Sequence, residues 1–414
     1  MEGQRQLPTR FLHKVLEEIV EEAGLANTRI EIESGSSRGD NYLSVIYRVK
    51  VSGQRANAGC ELKQDGVNFI FKCLPESKVR REEMKTSNYF NNEANFYNKV
   101  LPEFLSLQRE RGVPVQDTFC CTAKCYRALN TDTTKDIKGA EEVLVLEDMQ
   151  QQGYMMLDRY TGLDVTHCQL VLDQLAKLHA FSFAMRDQKP EQFNGLKDSV
   201  SETLYEETRL KGLQEYVASL EPLIDEALMT RVPGVSKYKQ RASDFIHNYY
   251  NTMLKCVDGA EAEPYAVICH GDCWNNNYLF KYGKDDSKPT GVILLDFQLS
   301  RYSSPVLDLS YFIASCTDHA LRCEHYDLLL ARYYDSLARF IRLLGSDPQK
   351  LFPQDVFQVK LDTNFGKTSR SFSLMNEFTM TEKNVPCTGN RSTTVLYKMN
   401  VNCNMKIKKR NKEM

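Results

Sequence analysis

Two short segments in the second half of the chain carry residues that could transfer a phosphoryl group. The first is His270-Gly271-Asp272, followed five residues after Asp272 by Asn277, and the second is the apolar run VILLDF, which contains Asp296. Phosphoryl transfer needs a carboxylate that orients the acceptor hydroxyl and oxygen ligands that hold Mg²⁺ against the phosphates. Asp272 could serve as the base, and Asn277 and Asp296 could hold the metal. A lone His-Gly-Asp would be a weak signal, whereas the full order on two strand-like segments is specific.

A pair of opposite charges lies in apolar surroundings in the first hundred residues. Lys72 interrupts the strand-like run FIFKCL, where an unpaired ammonium would be costly. Glu93 lies three residues after Phe90 and four before Tyr97, so its carboxylate lies beside the apolar stripe of a helical segment. Two inward charges of opposite sign, on a strand and on the following helix, should meet. Taken alone, either could instead be a surface group that extends its charge into water.

The elements that would position these residues fall into two parts of different character. Strands are predicted where β-branched and aromatic residues are frequent, at 42–52, 67–75, 119–129 and 142–149. Between them, the spacing of apolar residues from Phe90 to Phe104 predicts a helix. Beyond Gly153, helical periodicity predicts helices over 166–187, 203–230, 236–257 and 324–344. Short buried strands are predicted within 265–283 and 290–298.

This layout predicts an α+β fold with two lobes. The small N-terminal lobe, residues 1–145, would combine an antiparallel sheet with a helix. A hinge at 146–149 would lead into a larger, mainly helical lobe, residues 150–361, which carries the loops of Asp272 and Asp296. The last residues, 362–414, show no sustained period and end in a basic run. They are predicted to form a poorly ordered tail.

Composition excludes several classes of protein. The 414 residues include 53 Lys and Arg against 55 Asp and Glu, a net charge of −2 that gives no general reason to expect a nucleic acid as partner. No stretch approaches the ~20 apolar residues of a membrane span. The 13 cysteines are scattered without paired spacing, which favours reduced thiols in a cytoplasmic protein over a disulfide framework. Nothing in the sequence indicates an obligate protein partner.

Several longer segments resemble a known family. They are GDNYLSVIYRV, FIFKCLP, NEANFYNKVLP, LVLEDM, LAKLHAFS, ICHGDCWNNNYLF and LLDFQLSRYSSPVLDLSYF, within a resemblance that runs from about residue 27 to 344. The sequence resembles the insect ecdysteroid-kinase-like family, which has a CHK-kinase-like domain and lies in the group of choline kinases and aminoglycoside phosphotransferases. The resemblance implies a protein-kinase-like fold and transfer of the γ-phosphate of ATP, with Mg²⁺, to a hydroxyl of a small hydrophobic molecule. Ecdysteroid is the type substrate.

The resemblance also implies roles in nucleotide binding. Lys72 matches the lysine that holds the α- and β-phosphates, and Glu93 matches its partner on the helix. Residues 146–149 match the segment that links the lobes and whose backbone would bind adenine, here at Glu147 and Met149, and an ordinary strand end is the open alternative. The loop 35–44 would cover the phosphates, although it is no full glycine-rich motif and an ordinary hairpin turn is an open alternative. The nucleotide-binding residues expected in this loop are Gly39, Asp40, Asn41 and Ser44.

Two further residues are expected to support the catalytic loop. The resemblance implies that His270 and Asp308 brace it, and a histidine buried in the core is also the commoner state of that residue type. Asp308 opens an apolar helical run after Pro305, so helix capping is the alternative role. His179, on the apolar face of a predicted helix, is interpreted as a core residue. Trp274 is expected to pack within the catalytic loop.

A catalytically inactive, kinase-like protein that binds a nucleotide or another ligand is the alternative function. It is motivated by the atypical tail and by Gln298, which stands where protein kinases carry Gly. A protein kinase is disfavoured because no A-P-E-type activation segment follows Asp296. A zinc site is disfavoured too, because Cys120, Cys121 and Cys125 lack a second pair at zinc spacing.

Overall fold

The computed structural model of the chain describes residues 6–35, 43–56, 62–158, 161–206, 214–215, 217–219, 221–222, 236–283 and 288–361. The predicted loop residues Gly39, Asp40 and Asn41 lie outside these ranges, as do the tail 362–414 and most of the helix predicted over 203–230. The remaining site residues predicted from the sequence lie within them.

The N-terminal part is a five-stranded sheet with helices on both faces. Its strands are β1 (Ala26–Ser34), β2 (Val45–Ala56), β3 (Leu62–Cys73), β4 (Cys125–Leu129) and β5 (Val143–Glu147). Its helices are α1 (Arg10–Glu22), α2 (Lys78–Met84), α3 (Thr86–Asn95), α4 (Leu101–Glu110) and α5 (Thr131–Thr134), with a π-helical turn at Phe96–Val100 and a 3₁₀ turn at Val115–Asp117. The strand order is β1-β2-β3-β5-β4, and neighbouring strands are antiparallel.

The two faces of this sheet bury different sets of residues because side chains alternate along a strand. One face packs against the apolar stripe of α1 and includes Val49, Phe69, Phe71 and Val145. The opposite face carries the alternate positions, among them Lys72, which is paired in register with Ile46 of β2 and Leu144 of β5. Lys72 therefore faces away from α1, toward the rest of the molecule.

The C-terminal part is mainly helical and contains short strands. Its helices are α6 (Val165–Gln188), α7 (Pro190–Lys197), α8 (Ser236–Val257), α9 (Gly259–Ala262), α10 (Pro305–Cys316), α11 (His319–Leu343), α12 (Pro348–Leu351) and α13 (Gln354–Lys360). Its strands are β6 (Tyr154–Met156), β7 (Val267–Cys269), β8 (Tyr278–Tyr282), β9 (Pro289–Leu294) and β10 (Arg301–Ser303), and 3₁₀ turns lie at Met149–Gln152, Asn275–Asn277 and Phe297–Leu299. Strands β6, β8 and β9 form one small sheet, and β7 pairs with β10.

Helix α6 forms the centre of this part. Buried residues lie on every side of its C-terminal half, from Leu175 to Met185, as expected for a helix that is surrounded by protein. It packs along α11 and against β7. Asp164 caps its N-terminus by accepting a hydrogen bond from the N–H of His167 at 2.9 Å. The predicted α+β fold, a small antiparallel lobe with a helix followed by a larger helical lobe, is confirmed.

Most differences from the sequence expectations concern element boundaries. Helix α8 covers the predicted 236–257 and α6 exceeds its prediction by one residue at each end. The helix expected around residues 90–104 is three segments, because the π-helical turn at Phe96–Val100 separates α3 from α4. Only the last five residues of the predicted strand 119–129 form β4. Across the described ranges, no helix has both the length and the apolar character needed to cross a bilayer.

Candidate active site

Lys72 lies at the centre of a charged cluster between the two parts of the molecule. Its Nζ lies 2.6 Å from Oε2 of Glu93 on α3 and 2.7 Å from Oδ1 of Asp296, which follows β9. Its third neighbour is Oε1 of Gln298, at 3.4 Å. Burial alone would lower the pKa of Lys72, but the charges of Asp296 and Glu93 outweigh it and raise the pKa above its usual value. Lys72 is therefore a charged ammonium that joins the sheet, α3 and the loop of Asp296.

Asn92, which the sequence analysis did not identify, ties α3 to the same loop. Its side chain is buried, and its Nδ2 donates to the carbonyl oxygens of Gln298 at 2.9 Å and Ser300 at 2.6 Å. Its Oδ1 accepts the N–H of Ser201 at 2.9 Å. One buried amide thus fixes the helix of Glu93 relative to the Asp296 loop and to residues of the helical lobe. A polar residue at a buried helical position is the feature that could have identified Asn92.

Aromatic packing holds the residue after Asp296 against the π-helical turn. The rings of Phe297 and Phe96 are stacked, with centroids 3.8 Å apart and planes inclined by 7°. Tyr97 meets Phe297 edge to face at 5.9 Å. The π-helical turn that sequence periodicity did not predict therefore supplies the surface on which the Asp296 loop rests, and such turns are frequent at functional sites.

Asp272 lies in a buried loop between β7 and β8 with both carboxylate oxygens engaged. Asn277 Nδ2 donates to its Oδ2 at 3.0 Å and to its carbonyl oxygen at 2.9 Å, and Tyr311 of α10 donates to Oδ1 at 3.2 Å. Burial, assisted by the charge of Asp296, raises the pKa of Asp272 to about 7, while the hydrogen bonds from Asn277 and Tyr311 and the charge of Arg301 oppose the rise. A carboxylate with such a pKa can exchange a proton near neutral pH.

His270 and Asp308 hold the backbone that leads into Asp272. The two oxygens of Asp308 accept the N–H groups of His270 at 2.7 Å and Gly271 at 2.9 Å. His270 Nδ1 accepts the N–H of Asp272 at 3.2 Å, so the ring proton is on Nε2, which donates to the carbonyl oxygen of Leu295 at 3.0 Å. Burial lowers the pKa of His270, which favours this neutral form. Helix α10 is capped by Ser304, not by Asp308.

A second row of buried side chains supports Asp308. His179 of α6 lies with its Nε2 3.1 Å from Oδ2 of Asp308 and its Nδ1 2.8 Å from the hydroxyl of Tyr333 on α11. His179 is a core residue, as expected, and it is also hydrogen-bonded to the bracing carboxylate. Burial would raise the pKa of Asp308, but the contacts to His179 and Gly271 hold it below its usual range.

The glycine before Asp272 cannot carry a side chain in this backbone. Gly271 has φ +85°, a left-handed conformation, and a Cβ built on it would lie 1.9 Å from the carbonyl oxygen of Leu299. Asp296 also has a positive φ, +67°, which is unusual for a residue other than glycine. Both loops of the site therefore adopt turns that the surrounding structure imposes.

The segment that is expected to bind adenine lies at the C-terminal end of strand β5. Glu147 ends β5 and Met149 begins a 3₁₀ turn that Asp148 caps, with Asp148 Oδ1 accepting the N–H of Gln150 at 3.1 Å. Ser44, the one described residue of the four predicted in the phosphate loop, is buried just before β2.

The oxygen atoms around Asp296 fit a magnesium ion as ligands. Asn277 uses its amide nitrogen for both contacts with Asp272, so its amide oxygen is available to a metal ion. The Asp296 side chain is 26% exposed, whereas Asp272 is buried. Carboxylate and amide oxygens are hard ligands of the kind that Mg²⁺ prefers.

One other buried set of possible metal ligands occurs in the described ranges, formed by His179, Cys269 and Asp308. Asp308 is occupied by two backbone N–H groups. Burial raises the pKa of the Cys269 thiol, which disfavours the thiolate that a metal needs. We therefore assign this set to hydrogen bonding.

Comparisons with known proteins give a family match and several similarities. Residues 38–346 match the model of the ecdysteroid kinase-like family. A segment of 71 residues is 28% identical to the 4-hydroxytryptamine kinase of Psilocybe cyanescens, and it spans 17% of this chain and 17% of that protein. Among solved structures, GDP complexes of a mutant and of wild-type aminoglycoside 2'-phosphotransferase-IIIa are 14% and 15% identical. They cover 88% of this chain and 99% and 100% of theirs, with TM-scores of 0.40 and 0.39.

Proposed function

Since the chain belongs to the ecdysteroid kinase-like family, we propose that it is an ATP-dependent kinase of small molecules. It would transfer the γ-phosphate to a hydroxyl of a small lipophilic alcohol of the ecdysteroid type. The observation that carries this proposal is the joint position of Lys72, Glu93 and Asp296, with both carboxylates within 2.7 Å of one ammonium. Phosphoryl transfer depends on positioned charges of this kind more than on covalent chemistry.

In this proposal each residue has a separate task. Lys72 neutralises the α- and β-phosphates, and Glu93 keeps its ammonium in place. Mg²⁺, when bound by Asn277 and Asp296, would neutralise further phosphate charge. Asp272 orients the acceptor hydroxyl and accepts its proton as the new O–P bond forms and the bond between the γ-phosphorus and ADP breaks. Its pKa of about 7 suits a group that must take up and release a proton at neutral pH.

The acceptor and the location are also proposals. The preference for a lipophilic alcohol rests on the family, and the match to a kinase named for 4-hydroxytryptamine adds hydroxylated indoles to the acceptors worth testing. A cytoplasmic location is supported by the cysteines that the structure describes, all of which are free.

One contact favours the alternative function, a kinase-like protein that binds a nucleotide or ligand without transfer. Gln298 Oε1 lies 3.4 Å from Lys72 Nζ and adds a third oxygen to an ammonium that must also receive phosphates. Replacing Gln298 with Gly tests whether this contact inhibits transfer, because the substitution removes the side-chain oxygen that competes with the phosphates for Lys72. If the contact is inhibitory, the variant should transfer phosphate faster than the wild type.

The experiment that tests the proposal uses the purified full chain with γ-labelled ATP and Mg²⁺. Ecdysteroids, other hydroxylated steroids, hydroxyindoles and choline are offered as acceptors. We expect label on a lipophilic alcohol, and none with Lys72→Met. Tight nucleotide binding with no transfer to any acceptor, by the wild type and by Gln298→Gly alike, would favour the inactive alternative.

A further inference from the structure

Arg48 is a charged residue of β2 on the face of the sheet that is turned away from α1 and carries Lys72. Its neighbours Tyr47 and Val49 are buried on the opposite face, against α1, so alternation places Arg48 on the face of Lys72. In register, Arg48 lies opposite Ile70 of β3, and Ile70 lies opposite Leu146 of β5. The Arg48 side chain crosses β3 on this face, and its Nε lies 2.7 Å from Oδ2 of Asp148.

Arg48 and Lys72 lie at two different points along the same face of the sheet. Ile70, the partner of Arg48, lies two residues before Lys72 on β3, which corresponds to roughly 7 Å along the strand. Lys72 lies beside Asp296 at one end, where the phosphates are proposed to bind. Arg48 lies beside Asp148 at the other end, where the hinge between Glu147 and Met149 is proposed to meet the base.

Asp148 holds the guanidinium in a fixed orientation. The Asp148 side chain is 4% exposed and that of Arg48 is 21% exposed, so the ion pair is largely shielded from solvent. The N–H of Asp148 donates to the carbonyl oxygen of Asn68 at 3.0 Å, and Oδ1 caps the following turn. Of the two carboxylate oxygens, Oδ2 is therefore directed to Arg48. A planar cation that is held in this way can stack on a flat aromatic ring, whereas an ammonium offers no plane.

We propose that Arg48 stacks on the purine base of the bound nucleotide and that Asp148 is the residue that positions it. The inference rests on the proposed use of a nucleotide. It adds a contact to the base, on the side of the hinge, to the phosphate contact proposed for Lys72.

The test compares a ligand that has a base with one that lacks it. Dissociation constants of Mg·ATP and of Mg·tripolyphosphate are measured by titration calorimetry for the wild type, Arg48→Ala and Arg48→Lys. We expect both variants to bind Mg·ATP about tenfold more weakly and Mg·tripolyphosphate as the wild type does. Lys50→Ala is the matched control, because Lys50 is the next residue on the same face of β2 but pairs with Glu33 at 2.7 Å.

The role of Asp148 is tested by a double-mutant cycle. Asp148→Asn keeps an oxygen that can accept the N–H of Gln150, so the turn retains its cap. We expect this variant to weaken Mg·ATP binding in the wild-type background and to add nothing in the Arg48→Ala background. Equal effects in the two backgrounds would show that Asp148 acts without Arg48, and thermal unfolding of each variant confirms that the fold is kept.

Failure of the proposed function and failure of the stacking assignment give different binding results. If the wild type binds neither ligand, the proposed function is wrong. If the wild type binds Mg·ATP and Arg48→Ala binds it equally well, the stacking assignment is overturned while the proposed function stands. Loss of Mg·tripolyphosphate binding in Arg48→Ala would also overturn it, because the contact would then be to phosphate.

Discussion

The ammonium of Lys72 lies 2.7 Å from the carboxylate of Asp296, although 224 positions separate the two residues in the chain. The contact joins the sheet of the small lobe to the loop that follows β9 in the large lobe. Lys72 also contacts Glu93 at 2.6 Å, so one ammonium contacts two carboxyl groups. In the proposed function, a Mg·nucleotide would bring the positive metal to Asp296 and negative phosphates to Lys72, and we propose that the cluster then exchanges its internal ion pairs for contacts with the ligand.

Replacing Lys72 with Met should abolish transfer and destabilise the fold. The variant keeps an apolar stem but leaves Glu93 buried without its partner, and breaking a buried ion pair costs about 3–5 kcal/mol. The double variant Lys72→Met/Glu93→Gln should recover most of the free energy of unfolding and none of the transfer. Urea unfolding and transfer assays of both variants check this, and activity that returned with stability would remove Lys72 from the nucleotide site.

Substitutions of Asp296 and Asp272 should differ in how far their effect on ATP affinity depends on Mg²⁺. Asp296→Asn is expected to reduce ATP affinity more in the presence of Mg²⁺ than in its absence, because Asp296 is proposed as a metal ligand. Asp272→Asn should change both affinities little. Calorimetry with ATP, with and without Mg²⁺, measures the four values. Equal losses for the two variants would overturn this division of roles.

Asp308 should stabilise the fold in a pH-dependent way. Its pKa is lowered in the folded protein, so its contribution is present above the unfolded value of about 3.9 and is lost as the pH falls through the folded value. Asp308→Asn, which leaves a bracing hydrogen bond unmade, should cost roughly 3 kcal/mol of unfolding free energy at pH 7. The difference from the wild type should shrink below about pH 4, as urea unfolding at several pH values can show. A constant difference from pH 7 to pH 3 would contradict the assignment.

Asn92 should matter for nucleotide binding as well as for stability. Asn92→Ala removes the hydrogen bonds to Gln298, Ser300 and Ser201, which are one of the links between α3 and the Asp296 loop. About a tenfold loss of Mg·ATP affinity is therefore expected. Asn95→Ala is the control, because Asn95 donates to Ser199 at 2.9 Å from the same helix without touching the loop. Equal ATP affinities in the two variants, measured by calorimetry on folded protein, would assign Asn92 a purely structural role.

The sequence allowed local features of this molecule to be predicted. Helix α8 was predictable over its whole length because apolar residues recur at helical spacing between Ser236 and Val257. The meeting of Lys72 and Glu93 followed from two charges placed in apolar runs of adjacent elements. Both inferences use properties of neighbouring residues, which a sequence displays directly.

Contacts between distant segments were not predictable in the same way. Asn92 reaches residues more than 200 positions away, and Tyr333 contacts His179 across 154 positions. Each of these is a polar side chain on an otherwise ordinary helix, and only the packing of helices shows which backbone or side chain it meets. The π-helical turn after Asn95 was hidden because its apolar residues continue the helical spacing on either side.

The most direct test of the proposed function is a single-turnover reaction of the wild type and Asp272→Asn, with Mg·ATP affinity measured in parallel. If Asp272 is the base, the variant should bind Mg·ATP as the wild type does and transfer phosphate to the acceptor at least about a hundredfold more slowly. Transfer by Asp272→Asn at the rate of the wild type would contradict the account.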